Sequence, residues 1–244
     1  MKIKQSILFI ALFLISAFSL QAQEDTLIVN PDVSYQHFQI GMGNDIWMDA
    51  PVNNDIRPYS PSFVFSLSQV FHKEKSRFGL SLGLGLQSNN LYNESFLVEN
   101  QDFNKSMFSP IPDTLSFSKN KINTNYLELP LEIQLYLGKE RKTIFAIGFK
   151  AGYLINSHTK YKGDDYLNHN FTSDDVVKIK KHNLRDLNKF RYTVTGRLGH
   201  GVFSVFGHYN LVPLFEEGKL VDQNSKSKSY DMSLLTVGLI LTPF

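Results

Sequence analysis

The sequence predicts an all-β protein, an eight-stranded antiparallel up-and-down transmembrane β-barrel with long extracellular loops. Three observations carry that prediction: a secretory-type leader opens the chain, apolar residues then recur with period two, and short and long connections alternate. The alternating segments are roughly ten residues long, about what a tilted strand needs to cross the hydrocarbon core. Only every second side chain of such a strand meets lipid, so its signal is alternation rather than a continuous apolar run.

The leader comes first. Lys2 and Lys4 precede an apolar run from Ile7 to Phe18, and Leu20-Gln21-Ala22 has the small-residue pattern of a cleavage site. Residues 1–22 are read as a signal peptide, 23–34 as a short periplasmic leader and 35–244 as the barrel domain. After the leader no apolar stretch reaches the ~18 residues of a membrane-spanning helix. The 244 residues include no cysteine, which excludes a disulfide framework and an acylated cysteine anchor. Net charge is +2 and the basic residues are interspersed with acidic ones, so no nucleic-acid partner is expected.

The first two strands are expected at residues 37–43 and 62–71. The third, 78–86, alternates Phe78, Leu80, Leu82, Leu84 and Leu86 with Gly79, Ser81, Gly83 and Gly85. The fourth, 127–137, is the clearest: Leu127, Leu129, Leu131, Ile133, Leu135 and Leu137 share one phase, and a helix would spread them around its circumference. Pro130 removes a ladder hydrogen bond and predicts a local irregularity there. The fifth covers 143–154. In the sixth, 190–198, Phe190, Tyr192, Val194 and Leu198 oppose Arg191, Thr193, Thr195 and Arg197. The seventh is 202–211 and the last 232–244. In that last strand Phe244 is out of phase with Leu235, Val237, Leu239 and Leu241, so either a bulge lies near Pro243 or Phe244 does not face lipid.

Connections at 72–76, 138–142 and 199–201 are short, whereas those at 48–61, 88–125, 155–188 and 212–231 are long. Barrels of the outer membrane have short periplasmic turns and longer external loops, so both termini are expected in the periplasm. Weak alternation at 114–117 and 176–179 points to strands continuing beyond the membrane.

A lipocalin-like soluble barrel would show the same alternation with its apolar face inward. Charge placement favours the membrane. Arg77, Glu128, Glu132, Lys150, Arg191 and Arg197 all occupy polar phases, with both signs present, and can form a lumen ion-pair network that His208 joins. Trp47, Tyr126, Tyr153, Phe190, Tyr192, Phe203 and Tyr209 fall near strand ends, as girdle aromatics do. Phe244, a terminal aromatic, reads as the assembly signal shown to the barrel assembly machinery.

Tyr126-Leu127-Glu128-Leu129-Pro130-Leu131 resembles the Tyr-Leu-x-x-Pro-Leu signature of the PorT-like outer-membrane β-barrel family of Bacteroidetes. Phe190-Arg191-Tyr192, Gly196 to Gly201, Tyr209-Asn210-Leu211, Pro213-Leu214-Phe215 and Gly218-Lys219 are similar to that family's closing strands and last loop. The resemblance implies an exported barrel in the outer membrane of a Gram-negative cell, and no reaction.

Catalysis is not expected. His208 has Ser204 on its own strand and Glu128 or Glu132 within conceivable reach, but Asn210 stands where a lipid A deacylase would want serine. Asp164, Asp165, Asp174 and Asp175 lack a ligand loop, and His158, His169 and His182 lack metal-site spacing, so no metal or cofactor is expected. The expected role is structural or interactive, as a free-standing barrel or an accessory subunit of an envelope assembly or secretion machinery, with outer-membrane lipid and envelope proteins as partners, the latter met through the external loops. Two alternatives stand beside it: a solute barrel opened by Gly79, Gly83, Gly85, Gly148 and Gly152, and a lipid-modifying enzyme centred on His208.

Overall fold

The computed structural model of the protein describes residues 33–51, 54–73, 76–100, 105–138, 142–166, 176–221 and 230–242. The expected signal peptide, almost all of the leader and Phe244 lie outside the described residues. The strands are β1 (Val33–Met48), β2 (Pro61–His72), β3 (Phe78–Tyr92), β4 (Ser95–Asn100), β5 (Lys105–Pro110), β6 (Phe117–Leu137), β7 (Thr143–Asp164), β8 (Val176–His182), β9 (Phe190–His200), β10 (Phe203–Asn210), β11 (Leu220–Val221) and β12 (Ser233–Leu241).

Eight of these close a barrel in which every neighbour is antiparallel and consecutive among the spanning strands: β1, β2, β3, β6, β7, β9, β10 and β12. β12 returns to β1, from Ile40 opposite Leu241 to Met48 opposite Ser233. The predicted alternation sets the faces. On β6, Leu127, Leu129, Leu131, Ile133 and Leu137 are exposed while Glu128, Pro130, Glu132 and Gln134 are buried. Pro130 pairs with Lys150 on β7, but the β3 ladder is interrupted beside it, between Leu82–Leu131 and Gly85–Glu128. That interruption is what a residue without an N–H produces.

Several strands are longer than a crossing needs. β7 has 22 residues, about 70 Å of chain, and β6 has 21. Their outer halves rise together past the apolar band, and β8 pairs with the outer half of β7. A register shift between Asn125 and Tyr126 leaves Ile155 as an extra residue on β7, so the outward phase passes from odd numbers below it to even numbers above.

At this same end the long connections are folded. β4, β5 and β11 form a second, three-stranded sheet. Leu91, Phe108, Ile122, Leu184, Leu187, Leu214, Phe215, Leu220 and Met232 pack into a buried apolar cluster, with Trp47, Ile56 and Leu154 against its edge. The cap thus has an apolar inside, and the barrel beneath it a polar one.

Candidate functional site: the barrel lumen

Inward-facing residues are fixed by strand phase, and period two brings polar side chains from different strands to one level. Glu128 on β6 is the centre. It is 1 % exposed, accepts a hydrogen bond from Lys150 Nζ of β7 at 3.2 Å, and accepts a second from Arg191 Nη2 of β9. The Arg191 guanidinium lies 3.9 Å above the Tyr126 ring, and its Nη1 donates across the barrel to Asn89 Oδ1 of β3 at 2.7 Å. Asn89 Nδ2 donates to Asp45 of β1 at 3.0 Å, which also accepts from Thr236 Oγ1 of β12 at 2.7 Å. At the other end of the chain, Lys150 Nζ is 3.4 Å from His208 Nδ1 on β10. Through these contacts one polar network touches seven of the eight barrel strands, all but β2.

A second pair lies nearer the short turns. Arg197 Nη2 donates to Glu132 Oε2 at 2.9 Å and its Nη1 to Ser204 Oγ at 3.4 Å. Below it Tyr136 donates to Gln134 Oε1 at 2.7 Å and packs on His72, with ring centroids 4.8 Å apart. Val64, Phe206 and Ile240 add a small apolar cluster to the interior. The ring glycines make room for this filling. A Cβ at Gly148 would lie 2.9 Å from both Glu132 Cγ and Thr195 Oγ1 and 2.4 Å from the Leu131 carbonyl.

The structure therefore brings together six of the seven lumen residues expected from sequence: Glu128, Glu132, Lys150, Arg191, Arg197 and His208. Arg77 does not join them. It is exposed in the turn before β3, with its carbonyl accepting the Tyr136 amide. Counting by twos puts it inside, but it stands at the rim, one residue before β3 begins, where its side chain is exposed. Asp45, Asn89 and Thr236 were absent from the sequence-derived set. The signal existed for the first two: the inward phases His37–Gly41–Gly43 and Gly83–Gly85 run on to Asp45 and Asn89 once the strands are extended.

The aromatic expectation divides in the same way. Phe190, Tyr192, Tyr153, Phe203 and Tyr209 are exposed on the outer face. Tyr126 is instead buried beneath Arg191, and Trp47 packs on the cap cluster and donates Nε1 to the Asn90 carbonyl. Of the residues weighed as metal ligands, His158 and His182 face each other with rings 5.5 Å apart, and Asp164 Oδ2 accepts the Ser116 amide. Asp174, Asp175 and His169 lie outside the described residues.

A closed barrel with a charged interior and an apolar exterior fits only a membrane, and residues 21–239 match the outer membrane protein β-barrel domain family. The chain belongs to that family. Its Leu129, Ile133, Ile147 and Val205, each more than half exposed, face hydrocarbon. A lipocalin-like soluble barrel is excluded, since its interior would carry these residues. As in other outer-membrane β-barrel domains, the short turns mark the periplasmic side and the cap faces outward. No curated protein matches the chain in sequence. Among solved structures, two multiply substituted forms of the Rh. blastica porin are 10 % identical, with 86 % of this chain and 100 % of the porin covered and a TM-score of 0.21.

Proposed function

We propose that this outer-membrane barrel is a closed, non-catalytic scaffold of the PorT-like type, acting through its cap and outer surface as a free-standing protein or as an accessory subunit of an envelope assembly. One observation supports it most: Arg191 spans the lumen from Glu128 to Asn89, in the middle of a network that joins opposite walls. A pore would place solvent where this protein places charges paired with one another. The glycines that could have opened a transport path are filled against by Glu132, Thr195 and Ser68. His208 and Ser204 point into the same filled space, beside Lys150 and Arg197, away from the lipid on which a lipid-modifying enzyme would act. Export by a signal peptide cleaved after Ala22 and assembly through Phe244 complete the reading.

Planar-bilayer recording is the test. The purified full-length barrel should give no stable single-channel conductance. Reproducible open steps from the unaltered protein would overturn the closed-scaffold reading in favour of transport. Co-purification from cross-linked native membranes would then identify the partners the cap meets.

A further inference from the structure

The outer halves of β6, β7 and β8 present an unusual surface. Lys119 lies opposite Lys162, and Lys162 opposite Lys178; Lys121 lies opposite Lys160, and Lys160 opposite Lys180. One row closer to the membrane, Asn123, His158 and His182 complete the grid. Six lysines thus occupy two adjacent rows on one face of a three-stranded sheet. Like charges directly opposite each other weaken strand pairing, so this arrangement costs stability that alternation with acidic residues would have recovered.

The carboxylates nearby are otherwise engaged. Glu94 pairs with Arg57, Glu99 with Lys181 on the other face of the sheet, and Asp164 caps the tip through the Ser116 amide. Among the described residues, none of Lys119, Lys160, Lys162, Lys178 and Lys180 forms an ion pair. Lys121 donates to Asn90 Oδ1 at 2.6 Å and lies over the Tyr92 ring. Burial and the neighbouring Lys119, Lys160 and Lys180 push its ammonium below the usual lysine range. Burial, followed by Lys180, His182, Lys121 and Lys160, pushes His158 down to about 4.

The face on which these lysines stand identifies what they meet. Beyond the Ile155 irregularity the outward phase of β7 is His158, Lys160 and Lys162, in line with lipid-facing Leu127 of β6 below. Six residues separate Leu127 from Lys121, so at ~3.3 Å per residue and a tilt of about 40° the first lysine row stands roughly 15 Å above the edge of the hydrocarbon. Lysine stems reach several ångströms further down. The array therefore radiates over the surrounding outer leaflet, at the height of large saccharide headgroups, and not over the barrel mouth.

We propose that the lysine grid of β6, β7 and β8 is a docking face for the phosphorylated saccharide headgroups of outer-leaflet glycolipid. Each row offers ammonium groups at about the 4.8 Å inter-strand spacing, suited to phosphates carried on a rigid sugar.

The full-length barrel is reconstituted in phosphatidylcholine nanodiscs doped with phosphorylated lipopolysaccharide, or with the same lipopolysaccharide stripped of phosphate. Lipid retained through detergent exchange is then counted by native mass spectrometry. The unaltered protein should retain the phosphorylated form, with a loss of roughly fivefold for each lysine removed in Lys160→Gln, Lys162→Gln and Lys180→Gln combinations. Equal retention by protein and variant, or of phosphorylated and stripped glycolipid, would overturn the proposal. So would tighter binding of a single-stranded oligonucleotide, a soluble polyanion. The urea midpoint of the triple variant should equal or exceed that of the unaltered protein, since repulsion is relieved; a lower midpoint would make the lysines structural and sink the idea.

Discussion

At the scale of single residues, the lumen is decided by which charges have partners. Glu128 serves two cations, so its loss strands Lys150 and Arg191 in a space with no bulk water. Breaking a buried pair by removing one partner typically costs about 3–5 kcal/mol, whereas an exposed side chain outside any network is worth under ~0.5 kcal/mol. Glu128→Ala should therefore lower the urea midpoint of the folded barrel strongly, and Arg77→Ala should leave it within error; comparable shifts would show that the network has been drawn wrongly. Six of these residues were legible because charge in a polar phase of a spanning strand has few places to go. Arg77 was misread because at the rim of the wall an inward phase no longer means burial. Asp45 was missed because the alternation around it is broken by Asn44 and glycine, which carry little hydropathy contrast.

At the scale of elements, period two made all eight spanning strands readable, and Pro130 was rightly read as a fault in the ladder. Their outer extensions were readable only in part: weak alternation marked 176–179, which falls in β8, and 114–117, which ends where β6 begins. Above the apolar band both faces of β6 and β7 are polar or mixed, as in Asn120, Lys121, Ile122 and Asn123, and alternation against lipid no longer applies. β4, β5 and β11 are short and lie in Asn- and Ser-rich sequence, where only the pairing partner reveals a strand. The lipid-facing assignment can be tested by depth along a single strand. Leu131 lies mid-way along the apolar face of β6 and Leu127 at its outer end. Leu131→Arg should cost about 2–4 kcal/mol and Leu127→Arg about 0–1 kcal/mol, read as unfolding midpoints in liposomes. Equal penalties would mean that the band does not lie in hydrocarbon.

At the scale of the whole molecule, one chain satisfies two solvents in opposite senses. The barrel places apolar residues outside against lipid and joins polar ones within, while the cap above it buries Phe215, Leu220, Met232 and Leu91 almost completely beneath polar loops. At their boundary, a cavity of about 10 Å³ lies where Trp47, Tyr126, Arg191 and Leu214 meet, enough for a single water at most. Because the two parts are held by different forces, they should fail separately. Phe215 is 1 % exposed, and its ring meets Phe108 edge-on with centroids 6.2 Å apart. Phe215→Ala should remove about 3–5 kcal/mol from the cap while leaving the barrel intact, since none of the lumen pairs involves it. The expected result is rapid protease cleavage in the external connections of the reconstituted variant, with the heat-modifiable mobility of the barrel on detergent gels unchanged. Loss of both together would show that cap and barrel fold as one cooperative unit, and would require any partner of the cap to sense the state of the lumen directly.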